Sequence, residues 1–67
     1  MTTEESEQLS ALSHAFNNLL GKIMGAAELA LDHNPPPQVR SELETILRLA
    51  EEGAGLAVEL RAAAGGD

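Results

Sequence analysis

The chain has 67 residues, with 11 acidic against 4 basic side chains, a formal net charge of −7, one aromatic residue and no cysteine. A chain this short holds one domain at most and buries little surface, and with disulfides and thiolate metal sites excluded, association of copies is the remaining way to complete a core. The acidic balance argues against nucleic acid or an anionic membrane as partner, no apolar run approaches the roughly 20 residues that span a bilayer, and no signal-peptide pattern opens the chain, so the expected compartment is cytoplasmic.

Thr2-Thr3-Glu4-Glu5 reads as a capping box, with Thr2 as N-cap and Glu5 three residues on. Acidic side chains at 4, 5 and 7 suit the positive end of a helix dipole. Apolar residues then recur at Leu9, Leu12, Phe16, Leu19, Ile23, Ala26 and Ala30, alternating steps of three and four in an unbroken a/d register. Leu20, Ala27 and Leu31 widen that stripe on one flank. The spacing predicts a first helix over about 3–32.

Pro35-Pro36-Pro37 cannot continue it, which leaves a turn at 33–36 and places Pro37 at the first position of a second helix. That helix, over about 37–64, carries Val39, Leu43, Ile46, Ala50, Gly53, Ala57, Leu60 and Ala64 in the same alternation and stops at Gly65-Gly66. Gly53 and Gly55 weaken its middle by about 1 kcal/mol each relative to Ala. At a seam position Gly53 permits either close helix approach or local looseness, and the pattern leaves both open.

A short Pro-rich turn makes the helices antiparallel neighbours, so the fold class is all-α, a two-helix hairpin forming one domain over 1–67. Two helices leave part of each stripe wet. A second copy would close it, giving a homodimeric four-helix bundle. Its expected core comprises Leu12, Phe16, Leu19 and Ile23 of the first helix with Leu43, Ile46, Ala50 and Ala57 of the second.

With Leu9 at a, His14 falls at f, the position furthest from the apolar seam. Asn18 and Lys22 follow at steps of four on the same face, and Gly21 and Gly25 lie close to that strip. A solvated imidazole is substantially neutral at neutral pH, and the neutral ring is the nucleophilic form. Position alone favours a plain solvated histidine, and likewise a tolerated Asn18 and a solubilising Lys22. His33 beside Asn34 suits a helix C-terminus. The Glu-rich outer face of the second helix reads as solvated, with Arg40 and Glu44 spaced to pair.

The local string decides between these. Leu12-Ser13-His14-Ala15-Phe16-Asn17-Asn18-Leu19-Leu20, followed by Ile23-Met24-Gly25-Ala26-Ala27-Glu28-Leu29-Ala30-Leu31, resembles the histidine box of sensor histidine kinases, in the branch written H-D-F-N-N-L-L. The family's dimerisation and histidine-phosphotransfer (HisKA-like) domain is a hairpin that dimerises into a four-helix bundle, the architecture the register predicts by itself. The resemblance implies that His14 is the phosphoacceptor, exchanging phosphate with an aspartate of a response-regulator receiver domain. It implies that Asn18 stands where the family orients water for dephosphorylation. Asn17, Gly21, Lys22 and Gly25 would then make the docking strip.

Two features depart from the family pattern. The acidic residue that follows the histidine, which in the family assists proton removal from the ring, is Ala15 here. General-base help is worth about 10²–10⁴-fold, so Ala15 bears on autophosphorylation more than on exchange with a receiver. Nor does any segment resemble an ATP site, so ATP and magnesium would be held by a separate kinase domain or by the receiver. Two functions follow as expectations: a phosphotransfer domain working through His14, or a non-catalytic dimerisation or kinase-binding module with a degenerate histidine box.

Overall fold

The computed structural model describes residues 2–65, which form two helices, α1 (Thr3–Leu31) and α2 (Pro37–Gly65), packed antiparallel in a rod 50 × 14 × 11 Å. Gly66 of the Gly65-Gly66 stop lies outside the described residues. The capping box forms. Thr2 Oγ1 accepts the Glu5 backbone N–H at 3.1 Å, and the Glu5 carboxylate accepts the Thr2 backbone N–H at 3.0 Å and its hydroxyl at 2.9 Å. Those bonds, the backbone one foremost, hold the Glu5 carboxyl below its ordinary pKa.

At the other end α1 stops because Asn34 turns left-handed, with φ 53°, a conformation asparagine tolerates better than most residues. The last carbonyls are covered by donors: His33 Nδ1 lies 2.9 Å from the Leu29 carbonyl, and Arg40 Nη2 reaches the Leu31 carbonyl at 3.5 Å. Arg40 therefore ties α2 to the end of α1 instead of pairing with Glu44. No residue of either helix's last turn is basic, so for α1 the Arg40 guanidinium, reaching in from beyond it, opposes the negative end of its dipole.

The helices meet on a face rotated from the one the strongest apolar residues mark. In α1 the buried or half-buried set is Ser6, Leu9, Ser10, Ser13, Asn17, Leu20, Met24, Ala27, Ala30 and Leu31, all but Leu9 and Ala30 at the b and e positions of the register. In α2 it is, among the described residues, Arg40, Leu43, Thr45, Leu47, Ala50, Gly53, Ala54, Ala57 and Ala64. The core of one hairpin is therefore Ala27, Ala50, Ala57 and Ala64 with Ser13, and among the described residues no large side chain is fully buried. The Ser13 hydroxyl is satisfied by donating to the Ser10 carbonyl at 3.2 Å.

Gly53 answers the question its position raised. A Cβ there would sit 3.1 Å from Leu20 Cδ1, so the bare backbone lets the Leu20 isobutyl group lie against α2. The a/d residues Leu12, Phe16, Leu19 and Ile23 remain exposed, as do Ile46, Leu49, Leu56 and Leu60 of α2. Ile23 shares a shallow groove with Ile46, and Phe16 another with Leu60. The two stripes thus form one continuous apolar face along the rod.

Candidate functional site

His14 owes its place to its neighbour. Ser13 is small enough to sit in the seam and is buried, and one residue later the chain has turned by about 100°, carrying the imidazole out to solvent. Position f is far from the a/d stripe, but at about 100° per residue it lies only about 70° from the b/e seam. His14 is therefore at the edge of the contact with α2 instead of on the back of the bundle, which corrects the placement read from the register.

What borders it is Arg61. Its Nη1 lies 3.2 Å from His14 Nε2. The seam is lined by small residues here, Ser10 and Ser13 on α1 with Ala57 and Ala64 on α2, so a long side chain flanking it in α2 spans the gap. Arginine only donates hydrogen bonds, so Nε2 is the acceptor and carries its lone pair while the proton of the neutral ring resides on Nδ1. Sequence reasoning passed over Arg61. The available signal was its standing as the one cation of α2's final three turns, at the end that an antiparallel turn brings beside His14.

One turn along, Asn18 is exposed, and Lys22 is exposed beyond it. Gly21 and Gly25 are open, since a Cβ at either would meet nothing within 4 Å. Asn17 differs from the rest of the expected strip in being half-buried at the seam. Ala15 is exposed and offers no acceptor to Nδ1. Of the expected dimer core, Leu12, Phe16, Leu19, Ile23 and Ile46 are on the exposed apolar face, Leu43 is half-buried, and Ala50 and Ala57 are buried against α1. Among the described residues no three His, Asp or Glu side chains converge as metal ligands, and no helix is long and apolar enough to cross a membrane.

Comparison with protein families matches residues 4–62 to the His Kinase A (phospho-acceptor) domain, HisKA, a span that takes in nearly all of both helices. The chain belongs to the HisKA family. No curated protein and no solved structure matches it. As a HisKA phospho-acceptor domain of two-component histidine kinases, it shares the helical hairpin of a family whose members typically dimerise and pass phosphate to response regulators.

Proposed function

We propose that His14 is the phosphoacceptor of this HisKA domain, that it exchanges a phosphoryl group with a receiver-domain aspartate, and that Asn18 orients water for dephosphorylation. The observation that carries this is the exposed imidazole on α1 whose Nε2 meets the donor-only guanidinium of Arg61, a contact that favours Nε2 as the unprotonated, nucleophilic nitrogen. Phe16-Asn17-Asn18-Leu19-Leu20 after the histidine favours the H-D-F-N-N-L-L branch. Gly21, Lys22 and Gly25, with Asn17 at the margin, form the receiver-docking strip, where bare backbone lets a partner approach α1 closely. ATP and magnesium belong to a separate kinase domain or to the receiver.

The working unit is a homodimer. A compact monomer of 7.0 kDa exposes about 4,000 Å², whereas this hairpin exposes 4899 Å². The excess of about 900 Å² is close to the roughly 800 Å² that each partner gives to a standard interface. The uncovered Leu, Ile and Phe side chains supply the apolar surface for it, in the seam a second copy fills.

Ala15 favours a second reading, a dimeric regulatory module that binds a kinase or receiver without carrying phosphate. Incubation with phosphoramidate or a phosphorylated receiver, followed by intact mass and phosphorus NMR, separates the two. An acid-labile gain of one phosphate, absent in His14→Gln, is expected. No gain under conditions that phosphorylate a control bundle would transfer the assignment to the regulatory module.

A further inference from the structure

We propose that Arg61 is a positioning and phosphoryl-binding residue for His14: its guanidinium holds the imidazole in the tautomer with the lone pair on Nε2, then binds the phosphoryl oxygens once that nitrogen is phosphorylated. This rests on His14 being the phosphoacceptor. The contact itself is the first support. Arg61 Nη1 donates to Nε2 at 3.2 Å, and a donor-only group on Nε2 favours the Nδ1–H tautomer of the neutral ring. A carboxylate accepting from Nδ1 would favour the same tautomer from the other side of the ring, but Ala15 supplies none. Arg61 reaches that outcome from α2 with the opposite charge.

The second support is what Arg61 does not do. In a chain with 11 acidic residues and 4 basic ones, the expected partner of a surface arginine is a carboxylate. Among the described residues its one side-chain partner is His14. With no carboxylate partner among the described residues, the guanidinium beside Nε2 is placed for an anion arriving there. A phosphoryl group brings about −1.5 to −2 charge to a protein already at −7, so a local cation favours its arrival and retention. Arginine's planar fork of five donors suits phosphate oxygens and lets it pass an N–H from Nε2 to oxygen as phosphorus approaches.

The phosphoryl donor is the acyl phosphate of a receiver aspartate. The Nε2 lone pair forms the N–P bond while the P–O bond to the aspartyl carboxylate breaks, and the carboxylate leaves with the electron pair. Nδ1 keeps its proton through the transfer, leaving a phosphorylated imidazolium, and the proton then passes to water, since Ala15 offers it no acceptor. Arg61 meanwhile moves its hydrogen bond onto the phosphoryl oxygens, where it opposes the charge built up at phosphorus.

The test uses the full chain, its Arg61→Ala and Arg61→Lys variants, and phosphoramidate as donor. Losing one charge-assisted hydrogen bond should slow phosphate uptake at His14 by about 10–100-fold in Arg61→Ala, with partial recovery in Arg61→Lys. Nitrogen-15 NMR of the neutral His14 ring should read Nδ1–H in the parent and shift toward Nε2–H in Arg61→Ala, while melting stays unchanged because Arg61 is exposed. A merely structural arginine would move the melting and not the tautomer. If the parent takes up phosphate and Arg61→Ala matches it in rate and tautomer, the role of Arg61 is refuted and His14 stands. If the parent takes up none while a control bundle does, the phosphoacceptor assignment falls and this proposal with it.

Discussion

Phe16→Ala is the sharpest test of the apolar face. Phe16 is 51% exposed in the single hairpin. A phenylalanine side chain contributes about 200 Å², so about 100 Å² remains for a second copy to cover, worth about 2.5 kcal/mol at 25 cal/mol/Å². In a symmetric dimer the loss occurs twice. Allowing for the methyl group that remains, the dimer should weaken by about 4 kcal/mol, or roughly a thousandfold in dissociation constant. The control is Val58→Ala. Val58 is also 51% exposed but, at about 100° per residue, sits about 160–180° around α2 from Leu49, Leu56 and Leu60. Sedimentation equilibrium across a dilution series, with melting followed at the same concentrations, reads both variants. A Phe16→Ala dissociation constant within a few-fold of that of Val58→Ala would refute the dimer face drawn here. Phe16 also borders Leu60 of its own chain, so helicity must be measured to separate dimer loss from hairpin loss.

Gly21→Ala and Gly25→Ala meet no atoms and remove the helix cost of glycine, so each should raise stability by about 1 kcal/mol in thermal melts. Phosphate exchange with a receiver should fall in the same variants if bare backbone serves docking; a parallel rise in both quantities would remove the strip from the interface. The N-terminus of α1 should be pH-sensitive. Because the Glu5 pKa is depressed in the folded state, its stabilisation is fully present above the ordinary glutamate value and lost as pH falls through the lowered one. Amide exchange at Glu5 should quicken over that acidic window, and Thr2→Ala, costing about 1 kcal/mol, should weaken the dependence without abolishing it, because the backbone N–H that chiefly lowers the Glu5 pKa is retained. Ala15→Asp returns a proton acceptor to Nδ1, so phosphorylation by an ATP-loaded kinase domain added in trans should accelerate by about 10²–10⁴-fold. An unchanged rate would show that removal of the ring proton does not limit the reaction.

The sequence by itself determined the helices, their caps and the turn, because these rest on local chemistry: Thr2 with Glu5, the three prolines after Asn34, and apolar steps of three and four. It also determined the chemical candidate, since the string around His14 is legible without coordinates. What only the tertiary structure decided is which part of a wide apolar stripe faces which neighbour. Hydrophobicity says how much surface a helix must bury and not against what, so one dimension does not tell whether Leu12, Phe16, Leu19 and Ile23 of the expected bundle core face the other helix of the hairpin or a second copy. In three dimensions small residues win the hairpin seam, since Ser13, Ala57 and Ala64 let the helices of one chain close up and leave the bulky stripe outward. The same rotation carries His14 from the back of α1 to the edge of the seam. Arg61 can meet it there only because an antiparallel turn and a small-residue contact bring residues 47 apart in sequence within one hydrogen bond.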